Sequence, residues 1–232
     1  MQMAFFQDPA RQPFLRVPAA VIWLIALLVG IHALVTTLLA PHASEIYFTY
    51  GFIPARYSPV FLARPGNNPG GLLNLVLPFV TYNFLHGSWS HVLINSVWLL
   101  AFGPVVARRF GTPLFLGFFL LCGLAGAAAH LAANWGSQAP VIGASAAISG
   151  LMGASFRMLP FGPVQTQTAP LAPILSPRIL LWSAIWLVIN VVAGVTGLGA
   201  GGGVNVIAWV AHMGGYFAGL LLAGPVDAIA RR

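Results

Sequence analysis

Acidic side chains are almost missing. Asp8, Glu45 and Asp227 are the only carboxylates among 232 residues. A carboxylate pair for glycosidase or aspartyl-protease chemistry would need two of these three brought together from remote places. Hydrolytic metal centres and intramembrane proton relays want buried carboxylates too, so no metal and no cofactor is expected. Cysteine is reduced to Cys122, which excludes an intrachain disulfide. Charge of either sign makes up 6% of the chain, against about 25% in an ordinary soluble domain, and 59% is hydrophobic. That difference sets the class as a polytopic membrane protein. A small-residue cleavage site is lacking in the first twenty residues, so no removable signal peptide is read there.

The basic residues are ten arginines, clustered at the ends of apolar runs. A net charge of +7 therefore reads as membrane orientation, with no nucleic-acid partner expected. Residues 1–16 form a polar arm, followed by a body over 17–227 and a basic tail over 228–232. Six spans are expected, near 17–40, 89–107, 114–133, 141–159, 179–195 and 204–223. Gly111-Thr-Pro113 is read as a tight turn between the second and third, and Pro225 as the end of the sixth. Between the first two spans lies a long irregular stretch with a Gly66-Asn-Asn-Pro69 turn. Its apolar pieces at 47–53 and 72–82 are too short to cross, and are read as interfacial helices or strands. A proline-rich linker over 160–177 and a glycine-dense loop over 197–203 complete the outline. With six spans, Arg11, Arg16, Arg108, Arg109, Arg157, Arg178, Arg231 and Arg232 share one side, opposite Arg56 and Arg64. Eight against two places both termini in the cytoplasm.

Three polar groups then stand out. Ser145 lies near the start of the fourth span, where free N–H groups and the positive dipole end favour a developing negative charge. Its neighbours Gly143, Ala147, Gly150 and Ala154 offer bare backbone for close helix contact. His212 descends from the same side by about 12 Å at 1.5 Å per residue, on a small-residue stripe of Ala211, Gly215 and Gly219. His91 and Asn95, at i and i+4, share a face of the second span, and both can donate to an oxyanion. Read singly, this pair is equally polar glue between helices. His32 is read as an imidazole bonded to a neighbouring helix or loop.

In order and spacing, these residues resemble the rhomboid intramembrane serine proteases of the bacterial six-span type. His86, His91 and Asn95 match the family's motif at the start of the second span. Gly143-Ala-Ser145-Ala146 resembles its Gly-x-Ser-Gly. Ala211, His212, Gly215 and Gly219 match the motif of the sixth span. The resemblance implies an all-α six-helix bundle with a long first external loop, set in the cell membrane, for a bacterium the inner one. It implies a serine endopeptidase that cleaves transmembrane or juxtamembrane segments of single-span or multi-span membrane proteins in the bilayer. Ser145 would be the nucleophile and His212 its base. His91, Asn95 and the Ser145 N–H would surround the oxyanion, and His86 would support the loop.

With no acid near His212, a dyad is expected rather than a triad. Deacylation would need water, with Asn83, Ser88, Ser90 and the loop at 197–203 read as the mouth of its cavity. Two positions depart from the family. Ala146 adds a methyl beside the serine, and Ser149 replaces an aromatic residue that often packs on the histidine. Trp209 or Tyr216 is expected to compensate. A catalytically inactive scaffold that binds client helices is the rival reading, and a transporter is disfavoured by the lack of intramembrane acids and inverted halves.

Overall fold

The computed structural model describes residues 17–64, 71–159, 169–196 and 208–232. The arm at 1–16, the Gly66–Pro69 turn, the linker over 160–168 and the loop at 197–203 lie outside the described residues. So does the start of the sixth span near Val204. Helices α1 (Ala19–Thr36), α2 (Ala43–Tyr50), α3 (Pro59–Leu62), α4 (Leu72–Val76) and α5 (Pro78–Thr81) lead into α6 (Trp89–Ala133). Then follow α7 (Ser145–Met158), α8 (Pro177–Thr196) and α9 (Trp209–Ala230). Among the described residues the only β pairing is one antiparallel bridge, Phe52 with Val141. This is an all-α membrane protein. Helices α1, α6, α8 and α9 are long and apolar enough to cross a bilayer.

Their apolar residues point both ways, as lipid requires. α1 buries Ala20, Val21, Leu24, Leu28 and Val35 along one stripe while Trp23 stays 73% exposed. α6 runs 45 residues, about 68 Å, more than twice the roughly 30 Å hydrocarbon thickness. It is broken at Gly111, where φ is +74°, a conformation that suits glycine. The expected turn is thus a single-residue reversal of backbone geometry between two helical halves.

Two boundaries move. The fourth span does not open at Val141, because that residue exchanges both backbone hydrogen bonds with Phe52, at 3.0 and 2.8 Å. Gly143, at φ +120°, cannot be helical either, so α7 starts at Ser145. Pro225 does not end the last helix. α9 continues to Ala230 with the proline inside, since losing one N–H is tolerable where neighbouring groups hold the turn.

Those groups form an ion cluster centred on the buried Arg109 and Asp227, with Arg231 at its exposed edge. Arg109 donates from Nε to Asp227 Oδ1 at 2.6 Å and from a terminal nitrogen to Oδ2 at 3.0 Å. Arg231 adds a contact to Oδ2 at 2.8 Å. The Arg109 side chain is 1% exposed, so removing Asp227 would take the neutralising carboxylate from a buried guanidinium. Asp227→Ala is expected to cost about 3–5 kcal/mol, read as a lowered midpoint of thermal unfolding in detergent. An unchanged midpoint would show that the pair carries no net stability.

The long stretch before α6 is held by its own polar groups. Arg56 is buried; its guanidinium donates to the Thr49 and Phe48 carbonyls and lies 4.6 Å over the Phe48 ring. Tyr57 donates to Leu75 O at 2.7 Å, and burial pushes its phenol up to about 12. Phe52 packs between Tyr57 and Phe79, with ring centroids at 5.5 and 4.7 Å. Of the two expected interfacial pieces, the second is helical as α4 with α5, while the first is helical only to Tyr50, in α2, and turns extended at Phe52.

The core of the bundle is α7, buried at nearly every position from Ala146 to Ser155. A β-carbon on Gly215 would stand 1.9 Å from Ala146 O, and one on Gly219 would stand 1.9 Å from Gly150 O. One on Gly150 would meet Cys122 at 2.3 Å. Backbone touches backbone along the α7–α9 seam, and α6 closes the third side. Near the other end Arg157 donates to Leu220 O at 2.6 Å and to Ala172 O at 3.0 Å.

Candidate active site

The starts of α6, α7 and α9 meet at one end of the bundle, opposite the Arg109–Asp227 cluster. Ser145 occupies the first position of α7, and no side chain caps that terminus. The first intrahelical bond there is Ile148 N–H to Ala144 O at 2.9 Å, so the N–H groups of 145–147 precede the ladder. His212 sits in the first turn of α9. Its Nε2 lies 2.7 Å from Ser145 Oγ. The close approach follows from the seam: with Gly215 bare, α9 lies against the Ala146 carbonyl, and the side chains one turn above come within hydrogen-bond reach.

The other ring nitrogen is held as well. His212 Nδ1 lies 2.8 Å from Asn190 Oδ1, and Asn190 Nδ2 donates to Trp209 O at 3.0 Å. A backbone carbonyl can only accept, so the amide NH2 faces Trp209 and the amide oxygen faces the ring. Nδ1 then carries the proton, and Nε2 is left to accept from the Ser145 hydroxyl. A serine facing an oriented imidazole is the arrangement that activates an oxygen nucleophile.

Gly143 makes room for the third group. A β-carbon there would lie 2.7 Å from His91 Nε2 and 3.8 Å from Ser145 Oγ, so the His91 ring fills the space a side chain would take. Ser88 caps α6 by accepting from the His91 N–H at 3.2 Å, which fixes this turn. Asn95 is buried one turn deeper, and its Nδ2 donates back to His91 O at 2.9 Å. One amide proton is thereby used within α6, and one remains.

His86 is buried in the segment just before α6. Its carbonyl accepts from Tyr47 Oη at 2.8 Å and from His32 Nδ1 at 2.9 Å. Its Nε2 lies 3.5 Å from the Ala144 N–H, and its ring meets His91 edge-on at 5.0 Å. Burial, with His91 and His32 beside it, pushes this imidazole down to about 3, so it stays neutral and accepts. His32 is the loop-bonded imidazole read from the sequence, and its ring also stands edge-on to Trp89 at 4.8 Å.

Several sequence expectations need correction here. Asn83 does not line a mouth: it is fully buried, lies against Gly123, and donates to Val80 O at 3.1 Å. Ser88 and Ser90 lie 3.0 Å apart where α6 begins, while the loop at 197–203 lies outside the described residues. The aromatic compensation for Ser149 takes another form. Tyr216 stacks on Trp186 at 4.3 Å and bonds Ser183 Oγ at 2.6 Å, and Trp209 packs over Gly194. Ser149 donates to Ser145 O at 2.8 Å. The Ala146 methyl lies over Gly126, where a further β-carbon would meet it at 2.6 Å, so the departure from glycine is matched on the facing helix.

Asn190 is the residue the sequence reading missed. The signal was present: one amide among apolar neighbours in a spanning helix, seven residues after Ser183 on the same face. Distance in sequence hid its partner.

A family model described as the Rhomboid domain matches residues 74–226, which takes in the His91, Ser145, Asn190 and His212 positions. No curated protein matches the chain at a significant level. Because that match covers well over half of the sequence and falls on an all-helical bundle with four membrane-length helices, this chain belongs to the rhomboid family.

Proposed function

We propose that the protein is an intramembrane serine endopeptidase in which Ser145 is the nucleophile and His212 the general base. The observation that carries this reading is the 2.7 Å contact between Ser145 Oγ and His212 Nε2, at the start of a helix whose first N–H groups precede the ladder. As Oγ attacks the scissile carbonyl, Nε2 takes its proton. The oxyanion is received by the Ser145 N–H, with His91 and Asn95 beside it. The imidazolium then protonates the leaving amine, and water hydrolyses the acyl-enzyme by the reverse proton path.

In this reading α6 crosses twice, through Gly111, and α7 is the short central span, which gives six crossings with cytoplasmic termini in a cell membrane. Arg109, Arg157, Arg178 and Arg231 gather at the end of the bundle away from Ser145, as that orientation requires. Substrates are transmembrane or juxtamembrane segments of membrane proteins. A peptide bond inside a helix is shielded by its own hydrogen bonds, so small or helix-breaking residues are expected at the cut.

The test is cleavage of a generic transmembrane substrate by the purified chain in detergent micelles, against the Ser145→Ala variant. Cleavage by both alike would defeat the proposal. Within the same assay, Asn95→Ala is expected to slow turnover by roughly ten- to a thousandfold, as the loss of one oxyanion donor does elsewhere. If Asn95→Ala and His91→Ala both kept the wild-type rate, the two residues would be packing groups only.

A further inference from the structure

α8 buries four residues, Ile179, Ser183, Asn190 and Gly194, on the stripe that faces the bundle, while Val188, Ile189 and Val192 point away from it. An amide in such a helix costs free energy unless both ends are bonded, and here both are. Its NH2 holds the Trp209 carbonyl in the opening turn of α9, and its oxygen meets His212 Nδ1. Gly194, one turn further along α8, admits the Trp209 side chain, since a β-carbon there would lie 2.6 Å from its ring. The contact is therefore built by two positions of α8 against one turn of α9.

We propose that Asn190 is a positioning residue for His212, so that the reactive chain is Ser145–His212–Asn190, spread over α7, α9 and α8. This rests on the reading of Ser145 and His212 as a hydrolytic pair. An imidazole bonded only through Nε2 can turn about its ring axis and exchange tautomers. An acceptor fixed at Nδ1 holds the ring plane and keeps the proton off Nε2, the nitrogen that must take the proton from serine. A carboxylate would do this with a charge that an apolar helix tolerates poorly. The two acids among the described residues lie elsewhere: Asp227 is bound by Arg109, and Glu45 lies exposed beside His42. An amide supplies the acceptor without the charge. It also stands in for the aromatic wall that Ser149 does not provide.

Asn190 has a competing role as a mere anchor of the Trp209 carbonyl, and the test separates the two. The full chain, labelled with nitrogen-15 histidine, is studied in detergent micelles, and the His212→Gln variant identifies the His212 signals among the six histidines. The wild type is expected to show Nδ1 protonated and Nε2 bare. In Asn190→Leu the tautomers should mix, and kcat should fall roughly ten- to a hundredfold with KM unchanged, the usual cost of losing such a partner. Asn190→Asp keeps the acceptor for His212 but loses the donor to Trp209.

The aspartate variant should retain most of the turnover, with the acid limb of its pH–rate profile moved up by about one pH unit or more, because a carboxylate favours the charged imidazole. The other titratable groups felt at His212 are His91 and His130 of α6, which both variants leave in place. A wild-type spectrum with Nε2 protonated would overturn the proposal. So would equal losses in the two variants with an unmoved acid limb. Should Asn190→Leu fail to fold, the wild-type spectrum and Asn190→Asp still decide. Absence of Ser145-dependent cleavage would sink the protease reading alone, while the ring nitrogens would still report on Asn190.

Discussion

Ser145→Ala and His212→Ala will each lower cleavage of a transmembrane substrate by at least about a thousandfold while leaving the fold intact. The size follows from how such groups act. Nucleophile and base work as one unit, so losing either removes nearly the whole of the chemistry. The intact fold follows from the packing. Ser145 and His212 are partly buried and face each other rather than the core, which is made by Ala147, Leu151, Ala154 and Cys122. Thermal unfolding midpoints of the two variants should fall within a few degrees of the wild type. A serine-directed fluorophosphonate should label the wild type and miss Ser145→Ala. Full activity in either cleanly folded variant would end the mechanism as drawn. A folded wild type that neither cleaves nor labels would instead favour the scaffold reading.

Gly215→Ala will be among the most damaging single methyls at the described glycines. Its β-carbon would stand 1.9 Å from Ala146 O and 2.7 Å from Ala146 C, atoms of the opposing backbone that no rotamer change can move. α9 must slide off α7 by an ångström or more. Overpacking of this kind costs about 1–3 kcal/mol, and more where backbone is the obstacle. The functional loss should exceed the loss of stability. The seam also sets the Ser145–His212 distance, and a shift of about 1 Å at a reacting pair costs on the order of a hundredfold. Gly30→Ala is the control, since a β-carbon there meets nothing within 4 Å, and it should leave the unfolding midpoint unchanged or slightly raised. A Gly215→Ala protein with wild-type midpoint and turnover would show that the helices are not in backbone contact.

The membrane class and the candidate reactive pair were legible in the linear chain, because each depends on properties that add along it. A deficit of charge reports the membrane, and the arginine distribution supplies the expectation of sidedness. Glycine and alanine at intervals of four mark a helix face meant for another helix, whatever that helix is. Ser145 and His212 could be named because each sits in a short local pattern.

What the chain in one dimension did not give are the relations between distant residues. Val141 reads as helix by composition, yet its backbone groups are taken by Phe52, eighty-nine residues earlier, and the start of α7 moves to Ser145. Asp227 reads as a stray acid near a helix end, and only the bundle brings Arg109 against it. Asn190 drew no reading from the sequence, and packing alone turns its amide oxygen toward His212 Nδ1. A hydrogen bond needs its two atoms within about 3 Å, and sequence spacing carries that information only inside one helix or strand. Between α8 and α9 it is decided by which side chains are small enough to let the backbones meet.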